Sequence, residues 1–307
     1  MNQFPDTCFV CDSRQFDQLT TEYARCTHCG HEVLVSGQSQ GYITNDPLTI
    51  EDVRRPTGLD RFKAEVLRRF DPQPDSGTLV DIGSASGKFL HSHVHRYKRV
   101  AGLEVTPECL TFTRDVLKLD IKEHASELPP GITVATAWHS LEHIPASALE
   151  PILKAIAGKM SADARLIVSV PNAGSRQYRW FRSAYAYFDV PNHLHQFTQS
   201  SLDRLLLRCG FEPLKQIPSW PYNSFGYIQG LLNVATGTHN YLYYRVKRRS
   251  WKPSWKLDLA HVVLLPWCVP MGWLMGLVDQ LMPHKQGVIT ACYKLVHPAA
   301  TDTSACD

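Results

Sequence analysis

Four cysteines near the start of the chain define its first candidate chemistry. Cys8 and Cys11, then Cys26 and Cys29, form two C-x₂-C pairs with fourteen residues between them. Each pair sets two thiolates on one tight turn, and two such pairs can close a tetrahedron around Zn²⁺. Four thiolates saturate the ion and leave no position for water, so this zinc is expected to be structural. Gly30, directly after the second pair, eases the backbone where amides must turn toward the sulfurs. Neither pair opens a helix after a strand, as a redox C-x-x-C would. Met1 to Thr7 has neither a basic n-region nor an apolar h-region, so no secretory signal is expected and disulfides are disfavoured.

A second chemistry lies in the run Asp81-Ile82-Gly83-Ser84-Ala85-Ser86-Gly87, which follows a short apolar stretch. Small residues in such a turn let a ligand approach the backbone, and the helix that follows offers amides to a polar group. Glu104 ends the next apolar run, at the separation where a carboxylate accepts hydrogen bonds from a ribose diol. A nucleoside-containing cofactor is the expected ligand. Histidines supply a third element: His139, His143, His193 and His195 each carry an imidazole that can take a proton near its ordinary pKa of ~6.5. His139, Glu142 and His143 are also metal-ligand types within one turn.

The glycine turn resembles motif I of the class I S-adenosylmethionine (SAM)-dependent methyltransferases, with Ala85 at the middle small-residue position. Trp138–Pro145, W-H-S-L-E-H-I-P, is similar to the LEH-I/V segment after strand four in one subgroup of that family. Pro191–Thr198, P-N-H-L-H-Q-F-T, followed by Ser201-Leu202 and Cys209-Gly210-Phe211, is similar to the subgroup's P-x-H-L-x-x-F-[ST] run and terminal G-F. An N-terminal two-knuckle zinc ribbon also occurs in such proteins. The resemblance covers about residues 8–30 and 78–214. It implies a Rossmann-like, seven-stranded methyltransferase sheet with helices on both faces and an antiparallel last strand. Residue by residue, it implies Asp81, Gly83, Ala85 and Gly87 around the amino-acid half of SAM, and Glu104 on the ribose hydroxyls. Ala125 would then line the adenine pocket, while Trp138 and His139 would border the methionine part and the acceptor. Related quinone-type methyltransferases carry a carboxylate where this chain has His139, and can use a divalent ion there. Methyl transfer to a hydroxyl needs alignment and a base; His193 is the first choice, its loop expected to lie over the cofactor's methyl, and His143 the second.

The elements that must position these residues are legible in the apolar periodicity. From Thr78 onward, strands alternate with helices, which argues a mostly parallel α/β sheet covered on both faces. Lys88–Tyr97 and Pro107–Leu117 read as helices, and Leu166–Val170 as a buried strand. Thr198 is a plausible N-cap, with Phe197 stapling onto Leu202 and Gly210 stopping the helix. The chain divides into a zinc ribbon (1–36), a helical connector (37–77), a SAM-binding core (78–217), an acceptor-side apolar insertion (218–286), a final strand of the core (287–296) and a flexible tail (297–307).

The insertion carries a basic run interleaved with Trp251 and Trp255, then an apolar stretch, Leu259–Met282, broken by Pro266 and Pro270. A membrane span would separate the final strand from its sheet. The segment 245–282 is therefore read as an acceptor-site cover, a peripheral membrane contact or a homodimer interface.

With 307 residues, 44% hydrophobic and 20% charged, wholesale disorder is excluded. A net charge of +3, and only two arginines and no lysine between Cys8 and Gly30, weigh against nucleic acid as a partner. The expectation is a cytoplasmic SAM-dependent methyltransferase, allowing for the inner face of the membrane. Its acceptor is expected to be a small-molecule, sugar or lipid-linked glycan hydroxyl. An RNA methyltransferase gripping RNA through the ribbon, or a non-catalytic SAM-binding module, are the alternatives.

Overall fold

The computed structural model describes residues 4–35, 48–73, 76–245 and 254–296. The basic run at 246–253 and the tail at 297–307 lie outside these residues. Short strands β1 (Phe16–Gln18), β2 (Tyr23–Cys26) and β3 (Glu32–Leu34) form the N-terminal module. Helices α1 (Ile50–Arg54) and α2 (Gly58–Phe70) follow, the second opened by a reciprocal cap between Thr57 and Asp60. The connector therefore holds two helices, where only the stretch around Leu59–Phe70 shows apolar periodicity.

Alternation then takes over, as expected for a parallel sheet. The elements are β4 (Thr78–Ile82), α3 (Lys88–His91), β5 (Arg99–Leu103), α4 (Pro107–Thr111), β6 (Asp120–Lys122), β7 (Ile132–Trp138), α5 (Ala146–Ala157) and β8 (Met160–Pro171). Next come α6 (Arg176–Phe181), β9 (His195–Gln196), α7 (Gln199–Arg208), β10 (Phe211–Gln216), α8 (Trp220–Thr236), α9 (Tyr241–Tyr243), α10 (Trp255–Asp279) and β11 (Val288–Leu295). The seven-stranded sheet has the order β10-β11-β8-β7-β4-β5-β6, with β11 antiparallel to both neighbours and the remaining pairs parallel. This is the Rossmann-like methyltransferase sheet. The fully buried strand β7 and most of β8 read as continuous apolar runs because helices cover both faces.

Three local readings are corrected. The helix after the glycine turn stops at His91, because the side chains of Ser92 and His93 both bond the Phe89 carbonyl and compete with the helical ladder. The helix from Pro107 passes into a wider π turn at Phe112–Val116, where Thr113 donates to the carbonyls of Cys109 and Leu110. The apolar stretch is one continuous helix, α10, running through Pro266 and Pro270. Both prolines lie on its exposed side.

The N-terminal module is not a separate body. Strand β9 pairs antiparallel with β3, so a piece of the α/β core completes the module's sheet in the order β1-β2-β3-β9. Phe9 and His31 from the module pack rings against His195, and His31 also meets Phe197. Phe197 and Leu202 are both fully buried in this shared core. The Thr198 hydroxyl caps α7 by accepting from the Ser201 amide and donates to the Cys29 carbonyl at 3.3 Å. Thr198→Ala should therefore destabilise the protein by about 1 kcal/mol or slightly more, read as a lower urea midpoint with an unchanged denaturant slope.

Candidate functional site

The site is assembled at the carboxyl ends of β4, β5 and β7, where open α/β sheets place their ligands. The glycine turn leaves β4 with Gly83 at φ +71°, Ala85 at φ +45° and Gly87 at φ +70°. Gly83 is required by contact as well as by conformation. A Cβ there would come within 2.4 Å of the Ser140 Cβ, while the Ser140 hydroxyl donates to the Ile82 carbonyl at 2.6 Å. The turn carrying His139, Glu142 and His143 is thus pressed directly against the glycine turn.

Glu104 organises the turn. Its Oε2 accepts from the Ala85 amide and its Oε1 from the amides of Val105 and Thr106, all at 2.8 Å. A carboxylate fixed by three amides is pre-oriented at the end of β5, and each oxygen retains acceptor capacity toward a diol. Asp81 is buried within β4, where its Oδ1 accepts from the Thr136 hydroxyl at 2.6 Å. Burial pushes the Asp81 carboxyl up to about 7, against the opposing hydrogen bond from Thr136 and the nearby Lys63. Ala125 is buried at the start of the short turn after β6. Trp138 ends β7, with the Phe89 ring at 5.6 Å and the Lys63 ammonium 5.5 Å over its face.

Beyond the glycine turn lies a nest of imidazoles. His139, at φ +55°, sits between the rings of Tyr187 and Tyr222, and its Nδ1 is 3.4 Å from Glu142 Oε1. His143 and His193, far apart in the chain, have ring centroids 4.6 Å apart. The His143 Nδ1 bonds the Asn192 carbonyl at 2.9 Å, and the Leu194 amide donates to the Glu142 carbonyl at 2.8 Å. His195 turns away and bonds the Ile144 carbonyl through Nε2. Of the four candidate histidines, His139, His143 and His193 therefore converge, whereas His195 braces the loop and joins the ribbon core.

Burial, reinforced by the neighbouring His143, pushes the His193 imidazole down to about 4, so it is neutral at physiological pH. Burial works to raise the Glu142 carboxyl, but His139, His143 and His193 together outweigh it and hold the group below its ordinary value. Among the described residues, His139 Nδ1 at 3.4 Å is the recorded polar approach to Glu142, and neither oxygen accepts a well-formed hydrogen bond. Glu142, His143 and His193 each offer a ligand atom within 4.8 Å of the others, a donor set that suits a divalent cation as well as a proton relay. The second such group among the described residues is Cys8, Cys11, Cys26 and Cys29. The Sγ–Sγ separations are 3.7 Å for Cys8–Cys29 and 3.5 Å for Cys11–Cys26. Zn–S bonds of about 2.3 Å in a tetrahedron require edges of roughly 3.8 Å, so the cysteines fit a zinc ion.

Comparison with known proteins agrees with this geometry. A family model described as a methyltransferase domain matches residues 54–216, more than half of the chain. The chain belongs to the methyltransferase domain family. It is accordingly a SAM-dependent methyltransferase. Among solved structures, it is similar to the mycolic acid cyclopropane synthase CmaA1 complexed with SAH and CTAB, with TM-score 0.50 and 10% identity over 76% of this chain and 83% of that one. It is also similar to a putative sarcosine dimethylglycine methyltransferase from Galdieria sulphuraria, with TM-score 0.49 and 12% identity over 83% of this chain and 94% of that one. At such identities the likeness is one of fold. No curated protein matches.

Three contributors to the site carry no sequence signal of their own. Lys63 belongs to an amphipathic helix of the connector, Tyr187 to an irregular loop, and Tyr222 to the insertion. Only the sheet's closure brings them to Trp138 and His139. Replacing Glu104 with Ala removes the acceptor for three amides and the acceptor facing a diol. Hydrogen bonds to a charged group are worth roughly 1.5–3 kcal/mol, so calorimetry should show SAM affinity reduced by about tenfold or more.

Proposed function

We propose that this methyltransferase transfers a methyl group to a hydroxyl of a small-molecule, sugar or lipid-linked glycan acceptor, with His193 as general base. The observation that carries the reading is the contact between the His143 and His193 imidazoles beside the glycine turn. When bound, SAM would supply an electrophilic methyl on a sulfonium, open to in-line attack by an acceptor oxygen, with the thioether as leaving group keeping the C–S electron pair. Asp81, Gly83, Ala85 and Gly87 would hold its amino-acid half, Glu104 its ribose and Ala125 its adenine. Trp138 and His139 would border the methionine part.

The chain's own residues account for the proton. His193 is neutral at physiological pH, and its Nδ1 has no hydrogen-bond partner, so it can take the acceptor's proton as the oxygen attacks. The ionised Glu142 then stabilises the imidazolium at close range in a dry setting. His143, fixed by the Asn192 carbonyl, orients the pair. His193→Ala should reduce turnover by about 10²–10⁴ while SAM affinity stays near that of the unmodified protein. Retention of most turnover would reduce His193 to a loop brace, and collapse of SAM binding would make it part of the cofactor pocket.

We further infer that the four cysteines form a structural zinc ribbon, as in the LEH-motif subgroup the sequence resembles. The support is the near-tetrahedral spacing of the sulfurs. Elemental analysis should find one zinc per chain, lost in Cys26→Ser. Turnover in that variant should fall well before SAM affinity does, because the ribbon holds the segment that carries His193.

A further inference from the structure

We propose that the outer face of α10 docks on an anionic lipid bilayer, with the helix lying in the plane of the membrane surface. Between Leu259 and Val278 the chain contains no Lys, Arg, Asp or Glu. From Leu259 to Leu281 the exposed side chains, Leu259, Val263, Trp267, Leu274, Leu277 and Leu281 among them, are all apolar, and Trp267 is 74% exposed. At 1.5 Å per residue, the stripe from Leu259 to Leu281 is about 33 Å long. Monomeric soluble proteins rarely leave so continuous an apolar stripe uncovered.

Seating and charge select the occupant. α10 is held against α8 along its inner side: a Cβ on Gly272 would lie 2.9 Å from the Ile228 amide nitrogen, and one on Gly276 would lie 3.1 Å from the Ser224 Cα. Close packing through a small-x-x-x-small pair fixes one side of the helix to the fold. The chain then returns immediately to the sheet as β11. A helix tied to soluble structure along its length can lie on a bilayer but cannot cross one.

Basic residues stand at both ends of the stripe. At the start, Arg245 pairs with Asp258 at 3.6 Å, which leaves the Lys256 ammonium, 5.9 Å from the Trp255 ring, as the uncompensated cation there among the described residues, and His284 and Lys285 follow the end. Cations and tryptophans bordering an apolar helix face match the headgroup region of an anionic membrane. A second copy fits less well, since parallel or antiparallel pairing of two such helices would bring basic ends together. This inference is independent of the acceptor's identity.

The test uses the purified full-length protein in flotation with vesicles of phosphatidylcholine alone or mixed with phosphatidylglycerol. The protein should float with the anionic vesicles and progressively less as salt is raised. The double variant Trp267→Ser/Leu274→Ser should lower the bound fraction about tenfold or more, with SAM affinity and far-ultraviolet circular dichroism unchanged. Val116→Ser, at an exposed apolar site remote in sequence from the stripe, should bind like the unmodified protein. Failure to float, or equal flotation of the double variant, overturns the proposal. So does a lipid-free dimer that the double variant dissociates, which would assign the face to a second copy.

Discussion

The pairing of β9 with β3 is the contact on which the site's architecture depends. It places Glu32 opposite Gln196 and Val33 opposite His195, while the Leu34 amide donates to the Leu194 carbonyl. The Tyr23 hydroxyl adds a bond to the His193 carbonyl at 2.6 Å. A loop of this kind, leaving a methyltransferase core between α6 and α7, would ordinarily have its backbone groups exchanging with water. Here one edge is satisfied by the N-terminal module and the other by the turn carrying Glu142 and His143. The imidazole of His193 is held between two neighbours from distant parts of the chain, so its position depends on both. Three strands of three or four residues cannot supply a core of their own. Phe9, His31, His195 and Phe197 form a shared one, and the four cysteines close its far side.

A buried carboxylate dictates the electrostatics of the second half of the site. Removing Glu142 from water costs several kcal/mol unless charge or hydrogen bonds compensate. Among the described residues no amide or hydroxyl donates to it, and the His139 Nδ1 stands 3.4 Å from Oε1. The imidazoles of His139, His143 and His193 around it supply compensation when protonated, and a metal ion seated among them could do the same. In the resting state His193 is pushed toward neutrality by its own burial. The carboxylate therefore favours any step in which an imidazole gains a proton, and it does so most strongly in the absence of bulk water. That is the electrostatic setting expected of a base that must hold a proton only briefly.

Much of this was legible from residue types and spacing because the chemistry restricts both. A glycine turn followed by a carboxylate, two cysteine knuckles and a capped helix each carry their physical reason locally. Alternating apolar runs likewise specify a covered parallel sheet. What was not legible depends on tertiary closure. Nothing in H-L-H-Q-F announces that two of its residues extend another module's sheet, since a two-residue strand has no periodicity. Lys63 and Tyr222 become neighbours of Trp138 and His139 only after α2 and α8 pack together, as the Phe62–Tyr222 ring contact shows. Helix ends failed where side chains compete for backbone carbonyls, at Ser92, His93 and Thr113, a preference that apolar patterning does not encode.

The insertion is built as a wall and not as a closing flap. Asp279, fully buried at the end of α10, accepts from Tyr227 at 2.7 Å and is paired with Arg176 of α6. Asn223 of α8 accepts from the Gly287 amide at 2.9 Å and takes a further bond from Gln177. Gln286 accepts from the Ser219 amide at 2.7 Å and donates to the Asp279 carbonyl at 3.2 Å. These bonds fix both junctions of the insertion, where the chain leaves β10 and where it re-enters as β11. Opening α8 away from His139 would take the Tyr227 hydroxyl from Asp279 and break the bonds of Asn223 with Gln177 and Gly287, at about 1–3 kcal/mol for each buried polar group left unsatisfied. On the proposed chemistry, an acceptor would reach His139 and His193 past a fixed surface that includes Tyr187 and Tyr222. Selection among acceptors then falls to the shape of that surface, and the apolar face of α10 lies one helix farther out.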